Sequence, residues 1–396
     1  MPNIRIWDYL NLSSWKSIWS DSGFHVQRCL INQLTKSGNY HFYFTIPSDC
    51  VTEVKRAFKY PEYVTLVPLP YDTSHVTNKY HFDVNALQKH IEPYKRDYDL
   101  ILNNEPALTA NFLQLFNNRN PFRLPIMNYI HWIETPTITG FGDNEHGNYA
   151  LWSLISGIRW STATFCNSEY GKSIIRSFYN KILSVPEAQI VEDKLNPLYI
   201  GIDTDELDSF KPETEEQFDK PTIIFNHRVT DYTGYRDVVK VVKELEQELN
   251  FQIIFTNPSK FLGKGTVEEL ESAKFIHEAL SYPEYVKLMY KTDICLGSHR
   301  GTNQWSIAYP EAIYCGNIPI CINRAFHPEL MKNNTKYLCE LADFKDRLRY
   351  IIENLESERK KARHLKSFIY NNYSWNLRAI EWKKIIEDMV SNTEIF

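Results

Sequence analysis

Short apolar runs alternate along this chain with segments whose apolar residues recur every three or four positions. The runs predict buried strands at 4–9, 41–46, 99–103, 126–130 and 163–166. The longer period predicts helices at 23–36, where Phe24, Val26, Leu30, Ile31 and Leu34 form a rough stripe, and at 168–179. Residues 198–203 end this half, and the acidic, proline-containing stretch 205–219 reads as a linker. The pattern then restarts, with strands at 222–226, 251–256, 293–296 and 318–322 and helices at 235–249, 282–290 and 309–315. Such alternation predicts parallel sheets with helices on both faces. The expected fold class is therefore α/β, two doubly wound domains spanning 1–204 and 205–374. Residues 375–389 are strongly helical in pattern. Trp375, Leu377, Ile380, Trp382 and Ile385 give more apolar surface than a free tail needs, so 375–396 is expected to cross back to the N-terminal domain.

Composition narrows the classes. A chain of 396 residues suits two domains, and 43% hydrophobic with 23% charged residues is a folding composition. A net charge of -5 gives no global attraction to a polyanion, so contact with nucleic acid requires a local basic patch. No apolar run of about 18 residues marks a transmembrane helix. The first residues lack the basic-then-apolar order of a signal peptide, and a cytoplasmic location is expected. The 7 cysteines are scattered without a CxxC pair, as reduced thiols would be. Scarce glycine (14) beside abundant Tyr, Phe, Asn, Ile and Lys matches an AT-rich coding genome such as that of a phage, and so a phage-infected bacterial host.

The segment GTNQWSIAYPEAIYCGNIPICI, residues 301–322, carries the first chemistry. Pro310 suits the first position of a helix and Gly316 the residue after its last turn. Glu311 then lies at a helix N-terminus, where phosphate is favoured and a carboxylate can accept the hydroxyls of a ribose. An ordinary capping glutamate fits the same pattern. His299 and Arg300 end a predicted strand, where ligand contacts and solvated loop residues are both accommodated. His131 ends another. Asp203-x-Asp205 could hold a divalent metal, but an interdomain connector also accounts for Gly201, Phe210 and Pro212, so no metal site is expected.

Several segments, in order, resemble the retaining family 4 glycosyltransferases. PEAIYCGNIPICIN is similar to their Pro-Glu-Ala…Gly-x-Pro signature, FCNSEYGKSII at 165–175 to a strand–helix junction, and LYIGIDTDELDSFKP at 198–212 to the interdomain connector. IIFNHRVTDYTGYRDVV at 223–239 is similar to the strand-to-helix turn of that family, and DICLGSHR at 293–300 to a strand end. The resemblance implies two Rossmann-like domains facing each other across a cleft, the GT-B fold. It also implies transfer from a nucleotide-sugar, most simply a UDP-sugar, with no cofactor or metal.

Residue by residue, the resemblance makes Arg228 the grip on the donor diphosphate, Glu311 the ribose contact and His131 a group turned to the reacting sugar. His299, Arg300, Gly301, Thr302, Asn303 and Gln304 become donor-side residues, and Phe275 and His277 fall where a loop clasps the base. Asn303 stands where the family has a second glutamate. The diphosphate lysine would fall near Thr233, with Arg236 the nearest substitute. These departures keep open a degenerate, sugar-binding pseudo-transferase. Acceptor-side residues are Trp15, Trp19, Asp21, Gly23, His25, Trp132 and Glu134. The aromatic and basic interleaving of Trp15, Lys16, Trp19 and Arg28 suits nucleic acid. The cytoplasmic look, the composition and the size are similar to those of phage DNA glycosyltransferases, which act on hydroxymethylated bases. Lys16, Arg28, Arg300 and Arg324 are the cations expected to meet DNA; a polysaccharide or lipid-linked glycan is the alternative acceptor.

Overall fold

The computed structural model describes residues 4–10, 22–69, 98–117, 124–133, 145–214, 217–257, 270–275, 280–301 and 303–392. The chain divides into two compact units: Met1–Gly201 with Trp375–Phe396, and Ile202–Ser374.

In the first unit the strands are β1 (Ile4–Tyr9), β2 (Tyr40–Pro47), β3 (Val64–Leu69), β4 (Leu100–Asn103), β5 (Ile126–Ile130), β6 (Ala163–Cys166) and β7 (Leu195–Pro197). All pair in parallel, in the order β3-β2-β1-β4-β5-β6-β7. β4 and β5 are buried throughout, as mainly apolar runs require between two helical layers, and their polar residues pair inside, Asn103 Nδ2 donating to Asn128 Oδ1 at 2.9 Å. β3 lies at an edge, where its exposed Pro68 removes no bond that the sheet needs. The helix Glu169–Ile182 starts where Ser168 accepts from Gly171 N at 2.8 Å.

The helix Trp375–Ser391 packs on the helix Ser22–Thr35 and on β4, within the first unit. Gly201 lets it approach, since a Cβ there would lie 2.7 Å from Trp375 N. Trp375, Trp382 and Ile386 form its buried face. At about 1.5–3 kcal/mol per large apolar side chain, that face is worth several kcal/mol. The expected stripe ran through Ile380, which is instead 64% exposed. It lies well over 100° around the helix from Trp375, at about 100° per residue.

The second unit repeats the plan with β8 (Thr222–Arg228), β9 (Gln252–Asn257), β10 (Ala273–Phe275), β11 (Ile294–Gly297), β12 (Ile318–Ile322) and β13 (Leu338–Cys339). Again all are parallel, ordered β10-β9-β8-β11-β12-β13. The helix after β8 is Tyr235–Leu245, shorter than the expected 235–249, and Val238, Val242 and Leu245 are on its buried side. The expected linker holds a helix, Thr204–Ser209, because Asp203 caps it by accepting from Glu206 N at 3.0 Å. No helix among the described residues is long and apolar enough to cross a membrane.

Candidate active site

Each sheet reverses its winding at one place, between β1 and β4 and between β8 and β11. Ligands of doubly wound sheets bind outside the carboxyl ends of the strands at such a switch point. Arg228 ends β8 at the second of them. It is exposed, and its guanidinium has no protein partner among the described residues. Beyond it, Thr233 turns its hydroxyl inward, donating to the carbonyls of Arg228 at 2.8 Å and Thr230 at 2.7 Å. Gly234 follows at φ +71°. A Cβ there would lie 2.8 Å from the carbonyl carbon of Ser298, and closer still to its oxygen.

The loops after β8, β11 and β12 are tied together at this point. Ser298 Oγ donates to Thr233 O at 2.7 Å. Arg324 Nη2 donates to Ser298 O at 2.6 Å and to Asp237 Oδ2 at 2.6 Å, and its Nε donates to His299 O at 2.9 Å. Arg300 reaches the same carboxylate, Nε to Oδ2 at 3.0 Å and Nη2 to Oδ1. Arg300 and Arg324, expected as cations for DNA, are therefore both bonded to Asp237. Arg28, expected beside them, is buried. Arg236, the expected substitute for the lysine, pairs with Asp231 at 2.7 Å, both side chains exposed. Such a pair is worth little.

Glu311 is buried in the helix Ala308–Tyr314. The helix starts two residues before Pro310, which still falls among the first N–H positions that lack an intrahelical partner. It ends in a Schellman motif, with Gly316 at φ +106° and Asn317 N donating to Ala312 O at 3.1 Å. Tyr282 OH donates to Glu311 Oε1 at 2.9 Å. Asn226, near the end of β8, donates to Tyr285 OH at 2.9 Å and to Ala308 O at 2.8 Å, which fixes the start of the glutamate's helix against the strand. Burial, and then the charge of Glu311, push the Tyr285 phenol well up, so it stays protonated. Asn303 and Gln304 are buried in the preceding loop, while Gly301 is exposed at φ +57°. Phe275 ends β10 in register with Phe255.

Beneath the loops lies a cluster that sequence reading missed. The rings of His227 and His299 are 4.5 Å apart, His227 and Tyr309 4.3 Å, and His299 and His327 5.7 Å. All three histidines are buried. Burial pushes His227 and His327 down to about 3 and His299 well below its ordinary value. The rings are thus neutral packing units under the site. His227 adjoins Arg228 at an irregularity in the pairing of β8 with β9, where the buried ring is followed by the exposed guanidinium.

In the first unit His131 follows β5 and is partly exposed. Its Nε2 lies 2.8 Å from Asn104 Oδ1, and burial of part of the ring pushes it down to about 3. Tyr129 stands edge-on behind it at 4.7 Å, backed in turn by Trp382 at 4.8 Å. Gly23 is buried and His25 partly buried in the helix Ser22–Thr35, and Trp132 is 39% exposed. Trp15, Lys16, Trp19, Asp21, Glu134, His277 and Thr302 lie outside the described residues.

Residues 208–375 match the family described as glycosyl transferases group 1. No curated protein sequence matches the chain. Among solved structures, sucrose-phosphate synthase from Thermosynechococcus elongatus has a TM-score of 0.73 at 13% identity, over 98% of this chain and 100% of its own. Anabaena Alr3699/HepE in complex with UDP has 0.68 at 13% identity, over 98% and 100%. An alpha-glucosyltransferase in complex with UDP and a 13-mer DNA containing an HMU base has 0.59 at 12%, over 98% and 100%. Fold and family match define the class, and the protein is a glycosyltransferase with the GT-B fold. More particularly, the match to the group 1 glycosyl transferases falls almost wholly on the second unit.

Proposed function

We propose that the protein transfers a sugar from a UDP-sugar to a hydroxyl acceptor with retention of anomeric configuration. The observation that carries this reading is Arg228, exposed at the switch point of the second sheet with no protein partner among the described residues. Its guanidinium offers a bidentate fork to diphosphate oxygens, and Glu311 accepts from the ribose hydroxyls. The bond from the anomeric carbon to the diphosphate breaks, and its electrons go to the departing phosphate oxygen. Preorganised donors at such a charge are commonly worth about 3–4 kcal/mol each. The acceptor oxygen bonds to the same face, and its proton passes to the departing phosphate. The reaction uses no metal; Asp203 acts as a helix cap, so EDTA should leave turnover unchanged.

The acceptor we propose is the hydroxymethyl group of a modified DNA base, which would set the protein in a phage-infected bacterium. Support comes from the composition and from the likeness in fold to the alpha-glucosyltransferase complexed with DNA. A base must leave the stack to react, at a cost of about a few kcal/mol. The second reading, a saccharide acceptor, is favoured by the higher TM-score of sucrose-phosphate synthase. One assay separates them: labelled UDP-sugars are incubated with DNA containing 5-hydroxymethylcytosine or 5-hydroxymethyluracil, and with oligosaccharides. Incorporation into DNA supports the first acceptor and incorporation into saccharide the second. UDP binding without transfer to either identifies a degenerate enzyme.

A further inference from the structure

At the switch point of the first sheet, the ends of the adjacent strands β1, β4 and β5 bring together Asp8, Asn104 and His131. Asn104 Nδ2 donates to Asp8 Oδ1 at 2.9 Å and to Tyr9 O at 3.0 Å. A backbone carbonyl only accepts, so the nitrogen of the amide must face Tyr9 and its oxygen the other way. That oxygen receives Gln27 Nε2 and, at 2.8 Å, His131 Nε2. An amide oxygen cannot donate, so the imidazole nitrogen must carry the proton. Flipping the amide would set its oxygen against the Tyr9 carbonyl, an acceptor with no hydrogen to give, whatever the protonation of Asp8. Asp8 is completely buried and Asn104 7% exposed, so no bulk water rescues that arrangement. Burial also raises the Asp8 carboxyl well above its ordinary value, and Oδ1 accepts in either protonation state.

We propose that Asp8 and Asn104 are positioning residues that hold His131 as the Nε2–H form, so that Nδ1 is presented as a hydrogen-bond acceptor to a hydroxyl of the sugar substrate. The hydroxyl rests on the transferase reading; the relay rests on geometry alone. Such an acceptor takes O–H donors and is unsuited to phosphate or carboxylate, so the site selects a hydroxyl where a charged imidazole would select an anion.

The test is nitrogen-15 NMR of the full chain with labelled histidine, alongside donor kinetics. In the wild type near pH 7, His131 should carry its proton on Nε2 alone. Asn104→Leu and Asp8→Leu should give a mixture or the Nδ1–H form, while Asp8→Asn, whose carbonyl still accepts, should keep the Nε2–H form. Asn104→Leu should also raise the KM for the sugar donor about tenfold, as loss of one hydrogen bond does, with UDP affinity unchanged. An Nδ1–H wild type, or an unchanged Nε2–H form in both Asn104→Leu and Asp8→Leu, overturns the relay. If Asn104→Leu does not fold, the wild type and the two Asp8 variants decide it. An unchanged KM, or UDP affinity falling in step with KM, overturns the hydroxyl contact. Failure of the wild type to bind UDP overturns the transferase reading instead, and the ring's proton is still read directly.

Discussion

Gly234 presses on Ser298 so closely that a Cβ would lie 2.8 Å from the carbonyl carbon, and its φ of +71° is itself unfavourable for any side chain. The contact sets the spacing of the loops after β8 and β11. Gly234→Ala should cost about 1–2 kcal/mol from the left-handed backbone alone, and more from forcing the loops apart. A lowered Tm with weakened UDP affinity is expected. Wild-type values for both would contradict the assigned contact.

Arg228→Ala should act on the ligand and not on the fold. Its side chain is exposed and has no protein partner among the described residues, so the stability of the free protein should stay within about 0.5 kcal/mol of wild type. A charge-assisted bond is worth about 1.5–3 kcal/mol, or roughly 10–100-fold in affinity. Calorimetry with UDP should find that loss, and transfer should be abolished. Undiminished UDP affinity would remove the residue from the site.

Glu311→Gln keeps an oxygen for Tyr282 OH, so the helix Ala308–Tyr314 should remain in place. It removes the charge that strengthens acceptance from ribose hydroxyls. UDP should bind about tenfold more weakly, while inorganic pyrophosphate, which lacks the ribose, should be unaffected. Equal losses for both ligands would point to a disturbed loop.

The buried histidines make the second unit acid-sensitive. His227 and His327 are held down at about 3 in the fold and His299 well below its ordinary value, against about 6.5 in an unfolded chain. Between those values the unfolded state binds more protons, so stability falls as pH drops from about 6.5 toward 3. Each ring contributes a slope of about 1.4 kcal/mol per pH unit. Urea unfolding at pH 7.5, 6 and 5 should give a slope shallower by one proton in His227→Phe. Coincident slopes would mean that His227 is not neutral in the fold.

The central strands were legible because both their faces are buried, which leaves almost wholly apolar runs such as IPICI in β12 and, with Asn128 its one polar residue, IMNYI in β5. The edges were not. β3, β7, β10 and β13 each pair on one side only, and they are short or, in β3, broken by Pro68. The same division runs through the site. Arg228 and Glu311 belong to local motifs and could be picked out along the chain. Asp237 meets Arg300 and Arg324 across 63 and 87 positions, and Asn104 meets Asp8 across 96. Only the sheet order brings them together, and the spacing along one sequence does not encode that order.

The return of the helix Trp375–Ser391 to the first unit has a consequence during synthesis. All of the second unit leaves the ribosome before Trp382 can reach Tyr129. The half of the protein made first is thus the half finished last. Until then the faces that Trp375, Trp382 and Ile386 will cover stay wet, and the nascent first unit is a natural client for chaperones that hold apolar surface.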